Sequence, residues 1–175
     1  MPNWCNNNVV MSFKSEAQAE EFYKVCEEYS EDVNNKTLFG WFVPIEEDDD
    51  NWSRAEKWGT KWDAQMYAWR LDGRDVFLYF DTAWAPPIEV YHAALEKGIL
   101  VHASFNEIGM CFVGLFDNGQ EEFYEYSTCT SENVREHIGD YLDDEWNIST
   151  QMKEWEQDIE DIDYASSSGG VENFG

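Results

Sequence analysis

Basic residues are scarce in this chain of 175 residues, and the shortage excludes a class of function. The chain contains 11 Lys and Arg residues against 37 Asp and Glu residues, which gives a formal net charge of -26. A protein this negative is repelled by the phosphates of DNA and RNA and by anionic lipid. We therefore expect no direct binding to nucleic acid and no association with membranes.

Histidine and cysteine are also rare, which limits the candidates for catalysis and metal binding. The histidines, His92, His102 and His137, match neither the HExxH nor the GxSxG motif. His102 precedes Glu107, so an acid–base pair is conceivable, but a surface histidine is the simpler interpretation. Four separated cysteines without a CxxC pair indicate free thiols in a reducing compartment. We predict no catalytic residues, no cofactor, no metal site and no enzymatic activity.

Long apolar segments are absent as well. The first residues, MPNWCNNNVV, lack the basic and apolar regions of a signal peptide, and no run approaches membrane-spanning length. These features predict a soluble, cytoplasmic protein. The five consecutive acids at positions 46–50 predict an exposed loop, and without EF-hand spacing they predict weak divalent binding at most.

Aromatic residues, in contrast, are abundant. The chain has 9 Trp, 9 Tyr and 11 Phe residues, enough large apolar side chains to build a core. Its length is typical of one compact domain with additions. We therefore expect a folded protein and not a disordered one.

The first half of the sequence predicts a strand, a helix and a hairpin. Residues 7–13 form a strand pattern, and Ser15 and Gln18 give the S-x-x-Q form of a capping box for a helix that ends near Ser30. Asp72 and Gly73 form a strong turn signal between strands at residues 65–71 and 75–81. A strand–helix–strand–strand order results.

The second half predicts a helix, a strand, a further hairpin and a third helix. Pro86 and Pro87 precede a helix that Gly98 ends, and residues 99–105 form the next strand. Asn118-Gly119 joins strands at residues 110–116 and 121–127. Ser131 is the predicted N-cap of a third helix that runs to about residue 146, with Tyr141 among its inward residues.

This order predicts an α+β fold of the ferredoxin-like (split βαβ) class, with two helices on one face of an antiparallel sheet. A different α+β strand order and a partly open barrel are the alternatives. We expect a ferredoxin-like domain at residues 1–130 with an inserted acidic loop and an added hairpin. An acidic helical extension at residues 131–165 and a flexible tail at residues 166–175 follow.

The stretch KWGTKWDA supports two interpretations. Lys57, Trp58, Lys61 and Trp62 could form a ligand or nucleic-acid site in which indoles stack on bases and lysines meet phosphates. In the other interpretation the tryptophans pack against the sheet, a glycine turns the chain and the lysines balance nearby acids. We favour the structural role, and expect Trp62 and Trp84 to cover strand ends.

Four segments together, MPNWC, KWGTKWDA, FDTAWAPP and NEIGMCFVG, resemble the YubB-type ferredoxin-like proteins of phages and plasmids, a family without an assigned function. The resemblance covers residues 1–116. It implies a ferredoxin-like fold and an origin in a mobile element, hence the host cytoplasm if the protein is phage-encoded, and it transfers no catalytic residue. The acidic loop and the acidic C-terminal extension depart from the family pattern.

The acidic C-terminal third provides the main functional hypothesis. Between positions 132 and 163 the sequence has twelve acids against Arg135 and Lys153, with apolar residues at helical spacings. A helix that docks on its own domain is one explanation. The other is a surface that mimics nucleic acid and binds a basic, nucleic-acid-binding host protein such as a nuclease, toxin or defence factor. The expected contacts are Asp140, Asp143, Asp144, Glu145, Glu154, Glu156 and Asp158.

Overall fold

A computed structural model describes residues 3–168 of the chain. The chain divides into two compact units, one up to Glu125 and one from Tyr126 onward. We call them the sheet unit and the helical unit. The predicted boundary at residue 130 differs from this division by a few residues.

The sheet unit is built on one six-stranded sheet in which every neighbouring pair of strands is antiparallel. The structure thus has an α+β fold. The spatial order is β2-β3-β1-β4-β5-β6, which places β1 at the centre and continues the sheet with the added hairpin. The strands are β1 (Trp4–Ser12), β2 (Gln65–Asp72), β3 (Asp75–Ala83), β4 (Leu100–Glu107), β5 (Phe112–Asp117) and β6 (Gln120–Glu125).

Both predicted hairpins are present. Gly73 in the turn between β2 and β3 has a φ of 59°, a left-handed conformation that glycine adopts without a steric penalty. Asn118 and Gly119 between β5 and β6 have φ values of 50° and 95°, and positive φ at both residues is what a two-residue type I′ hairpin turn requires. The turn residues therefore set the register of both strand pairs.

Two helices in the sheet unit pack into the same core. The helix α1 (Glu16–Glu31) begins after Ser15, whose side chain accepts a hydrogen bond from the Gln18 backbone N–H. Pro86 and Pro87 precede α3 (Ile88–Glu96), as predicted. Buried residues of both helices form one cluster with alternate residues of the strands, including Phe22 of α1, Tyr91 of α3, Val9 of β1 and Leu78 of β3.

A short helix that the sequence analysis did not predict, α2 (Asn51–Trp58), follows the acidic loop. Asp50 is its N-cap and accepts hydrogen bonds from the backbone N–H groups of Trp52 and Ser53. The last residue of the acidic run is thus a helix cap. The Asp49 side chain is only 11% exposed and forms an ion pair with Lys57, so the loop is not uniformly solvated.

The helical unit contains three helices where one was predicted up to residue 146. They are α4 (Val134–Ile138), α5 (Asp140–Trp146) and α6 (Ile148–Ser168). Gly139, with φ 87° and ψ 156°, separates α4 from α5. Asn147, in the left-handed region, separates α5 from α6. The break leaves Tyr141 half-exposed, although it was predicted to face inward.

The last helix continues to Ser168, so residues 166–168 of the predicted flexible tail are helical. The rest of that predicted tail lies outside the described residues. Within residues 3–168, no helix has both the length and the apolar composition needed to cross a bilayer.

Candidate functional site

Trp58 is the buried tryptophan of the KWGTKWDA stretch. Its side chain is 1% exposed, and its indole N–H donates a 2.9 Å hydrogen bond to the Val43 carbonyl. The Phe39 ring meets the Trp58 ring edge-on at a centroid distance of 5.6 Å. Trp58 is thus a core residue without a free face on which a base could stack.

The residues after Trp58 hold the chain against β3 and α3. Gly59 ends α2 with a φ of 84°, and a Cβ at this position would lie 3.1 Å from the Ile88 backbone N. Thr60 is buried and donates a 2.9 Å hydrogen bond to the Ala83 carbonyl. The glycine and the threonine of this stretch therefore have structural roles.

Asp63 anchors the segment that precedes the acidic loop. Its carboxylate accepts hydrogen bonds from the backbone N–H groups of Leu38 (2.9 Å), Phe39 (3.0 Å) and Ala64 (2.8 Å), and from the Thr37 hydroxyl. Burial raises the pKa of the Asp63 carboxyl, although these hydrogen bonds act in the opposite direction. Asp63 accepts these hydrogen bonds from groups of its own chain, which indicates a role in folding.

The predicted ligand site of Lys57, Trp58, Lys61 and Trp62 is not assembled. Lys57 forms an ion pair with Asp49, and Trp58 is buried. Lys61 lies 6.0 Å from the centre of the Trp84 ring, a cation–π distance. Trp62 is 38% exposed and Trp84 is 42% exposed, so neither covers a strand end as fully as predicted.

A different aromatic groove lies beside this stretch in the sheet unit. It has a volume of about 640 Å³ and includes Trp4, Trp62 and Trp69 in its lining, together with Tyr29 and Met66. The rings of Trp4 and Trp62 have centroids 6.2 Å apart. Only Trp62 of the predicted ligand residues contributes to it.

A buried polar network joins the FDTAWAPP segment to β1 and α3. Asn7 donates to the Thr82 hydroxyl at 2.9 Å and accepts from the Tyr91 hydroxyl at 3.0 Å. Thr82 in turn donates to the Ala85 carbonyl at 2.7 Å. Asn7, Thr82 and Tyr91 are fully buried, so the network ties β1 and β3 to α3.

His102 and Glu107 do not form the acid–base pair that their sequence positions suggested. His102 is exposed and lies 3.6 Å from Asp117, whereas Glu107 is 1% exposed and accepts hydrogen bonds from the Gly109 and Met110 backbone N–H groups. The two residues are five apart on β4 and therefore point to opposite faces of the sheet. Among the described residues, no group of three or more His, Cys, Asp or Glu side chains is arranged to hold a metal ion.

In the helical unit, one arginine gathers three of the predicted partner-binding aspartates. The Arg135 guanidinium donates hydrogen bonds to Asp140 (2.7 Å), Asp143 (2.9 Å) and Asp144 (2.7 Å). These carboxylates hold the pKa of Arg135 well above its usual value, because the hydrogen bonds that Asp144 and Asp140 accept favour the charged guanidinium. This part of the acidic surface is thus partly neutralised from within.

Asp143 is a structural residue and not a surface contact, contrary to the prediction. It is 2% exposed, and it accepts hydrogen bonds from the Ser149 backbone N–H at 2.7 Å and the Ser149 hydroxyl at 2.6 Å. Burial alone would raise its pKa, but the bonds from Ser149 and Arg135 outweigh burial and lower the pKa. Asp143 therefore joins α4, α5 and the first turn of α6.

Glu156 is also engaged within the helical unit. Its two carboxylate oxygens accept hydrogen bonds from the Ser131 hydroxyl (2.6 Å) and the Ser131 backbone N–H (2.9 Å), which lower the pKa of Glu156. Ser131, predicted as an N-cap, instead serves as a donor to α6. Of the remaining predicted contacts, Glu145, Glu154 and Asp158 are exposed.

From Trp155 onward, α6 presents apolar side chains to solvent among acids. Trp155 is 65% exposed, Ile159 41% and Ile162 66%. Every residue from 157 to 167 is exposed. The chain from 154 to 168 has six acids and no lysine or arginine; the acids are Glu154, Glu156, Asp158, Glu160, Asp161 and Asp163.

No family model, curated protein or solved structure matches the chain. The YubB-type resemblance accordingly stays a prediction, and the functional argument depends on the contacts described above.

Proposed function

We propose that the chain is a non-enzymatic binding protein whose α6 surface binds a basic partner protein. The observation that supports this proposal most is the exposure of Trp155, Ile159 and Ile162 between carboxylates, on a helix whose one basic residue is Lys153. Exposed apolar residues supply the desolvated anchors of an interface, and charge of one sign steers an oppositely charged partner.

The partner in this proposal is a nucleic-acid-binding protein of the host cytoplasm, such as a nuclease, toxin or defence factor. Such a partner has a lysine- or arginine-rich surface that normally neutralises phosphates. The carboxylates of α6 would occupy that surface instead of the phosphates. Binding there would exclude the polynucleotide and inhibit the partner. The protein would thus serve a phage or another mobile element as a nucleic-acid mimic.

The sheet unit supports the corresponding fold assignment. The first four strands in the order β2-β3-β1-β4, with α1 and α3 in one core cluster, support a ferredoxin-like topology. The buried hydrogen bond from Asn7 gives a structural reason for Thr82, a residue of the YubB-type pattern. In this proposal the sheet unit is a scaffold, and α6 provides the binding function.

Charge reversal on α6 tests the proposal. The full-length protein captures its partner from expressing cells, and the dissociation constant is then measured with the purified partner. The triple variant Glu154→Lys, Asp158→Lys and Asp161→Lys should weaken binding on the order of tenfold or more, because attraction becomes repulsion. Wild-type affinity should also fall between roughly 0.1 M and 1 M salt, since the screening length shrinks from about 10 Å to 3 Å.

A matched control separates this surface from net charge. The variant Glu20→Lys, Glu21→Lys and Glu27→Lys changes the net charge equally on exposed positions of α1, and it should bind almost as wild type does. Equal affinity for the α6 variant and the wild type, without salt dependence, would contradict the proposal.

The aromatic groove favours a second candidate function, that of a small ligand- or nucleic-acid-binding regulatory module. Trp62 lines the groove, and Lys61 and Trp84 lie together at 6.0 Å, with Trp84 in a strained backbone conformation at φ 71°. This candidate requires ligand or single-stranded oligonucleotide binding that the variant Trp62→Ala abolishes. Binding that persists in this variant would reject it.

A further inference from the structure

The apolar residues of α6 follow an alternating four–three spacing. Ile148, Met152, Trp155, Ile159 and Ile162 are separated by four, three, four and three residues. This spacing averages 3.5 residues and produces a straight seam along one side of a helix, as in coiled coils. We call these five residues the α6 seam.

The α6 seam begins inside the helical unit and continues onto exposed surface. Ile148 is 3% exposed and Met152 is half-buried, so the first turns pack within the unit. Trp155, Ile159 and Ile162 are exposed, and the exposed part is about 10 Å long at 1.5 Å per residue. The α6 seam therefore continues for about two helical turns beyond the part that packs within the helical unit.

The charges beside the seam indicate what occupies it. In the exposed half, the flanking positions next to the seam hold Asp158 and Asp163, and the seam residue Trp155 is followed by Glu156. A second copy of α6 would place acids opposite acids in either orientation, and like charges at these positions oppose pairing. A helix with lysine or arginine at its flanking positions would instead be attracted.

We infer that the α6 seam binds a short amphipathic helix of the partner, with an apolar stripe flanked by lysine or arginine. This inference depends on the proposed function and specifies the partner's chemistry. The exposed seam accommodates two to three helical turns of the partner. Trp155, Ile159 and Ile162 are its anchors, and Asp158 and Asp163 select the charge of the flanks.

Three synthetic peptides test the inference with the full-length protein. The basic peptide is a 21-residue helix with Leu at seam positions and Lys at flanking positions. The acidic peptide has Glu in place of those Lys residues, and the scrambled peptide has the basic composition without the seam spacing. Calorimetric titration should show that the basic peptide binds, that the scrambled peptide binds on the order of tenfold more weakly, and that the acidic peptide does not bind.

Alanine variants separate the seam from the rest of α6. Ile159→Ala with Ile162→Ala removes two anchors and leaves a good helix former, so circular dichroism should be unchanged while affinity for the basic peptide falls on the order of tenfold. Tyr164→Ala is the control, because Tyr164 is 76% exposed but lies outside the seam, and its affinity should match wild type.

The outcomes distinguish the two proposals. If the basic and scrambled peptides bind equally well, or the double alanine variant binds the basic peptide as wild type does, the seam inference is overturned and charge attraction by α6 stands. If neither the basic nor the scrambled peptide binds, the proposed function loses its electrostatic basis as well. A dimer in sedimentation analysis that the double variant dissociates would also overturn the inference, because a second copy would then occupy the seam.

Discussion

Replacing Trp58 by alanine should lower the free energy of unfolding of the sheet unit by about 3–5 kcal/mol, the range for removing a buried aromatic side chain. Trp58 is 1% exposed, contacts the ring of Phe39 and donates to the Val43 carbonyl. The substitution would leave a cavity in the core and the Val43 carbonyl without its indole donor. Denaturant unfolding followed by circular dichroism measures the effect.

Trp62→Ala is the matched control, because the residue lies four positions away and is 38% exposed. It should change the free energy of unfolding much less than Trp58→Ala does. Equal destabilisation by the two variants, or a Trp58→Ala protein as stable as wild type, would show that the core does not depend on Trp58 as described.

Replacing Asp143 by alanine should destabilise the helical unit by about 3 kcal/mol. This is the lower end of the range for breaking a buried ion pair, chosen because the Arg135 side chain remains 44% exposed. The substitution removes the acceptor of two Ser149 bonds and one Arg135 bond. Amide hydrogen exchange locates the loss, which should lie in α4, α5 and the first turns of α6.

The effect of Asp143 should depend on pH in a definite direction. Because the pKa of Asp143 is lowered in the folded state, its ionised form stabilises the fold above the unfolded pKa of about 3.9. That contribution disappears as the pH falls through the lower, folded pKa. The difference in unfolding free energy between wild type and Asp143→Ala should therefore be larger at pH 7 than at pH 3.

Asp140→Ala provides the control for Asp143. Asp140 also accepts from Arg135, but its side chain is 81% exposed, and surface ion pairs contribute little to stability. Its unfolding free energy should stay close to that of wild type at both pH values. A pH-independent loss in Asp143→Ala would argue that the carboxylate is not ionised in the folded protein.

Local sequence determined the parts of the fold that were predicted well. Asn118-Gly119 and the turn at Gly73 require left-handed backbone, and Ser15 with Gln18 marks a helix start within four residues. The α2 helix was missed because its N-cap, Asp50, is the last of five acids that together indicate a loop. A cap signal was present in Asp50, but the charge run concealed it.

The roles of individual site residues depended on distant contacts. Trp58 and Trp62 have similar local sequences, and distant contacts, among them those with Phe39 and Val43, bury Trp58. Asp143 lies in an acidic helical pattern that indicates a solvated face, and its burial requires Arg135 and Ser149. The periodicity of α6, in contrast, was visible in the sequence, while the exposure of its second half was not.

Amide hydrogen exchange of the full-length protein, with and without its captured basic partner, tests the central claim most directly. If α6 is the binding surface, the partner should increase protection between residues 154 and 165. The residues that line the aromatic groove, among them Trp4, Trp62 and Trp69, should exchange as in the free protein. Protection at the groove together with unchanged exchange along α6 would contradict the account.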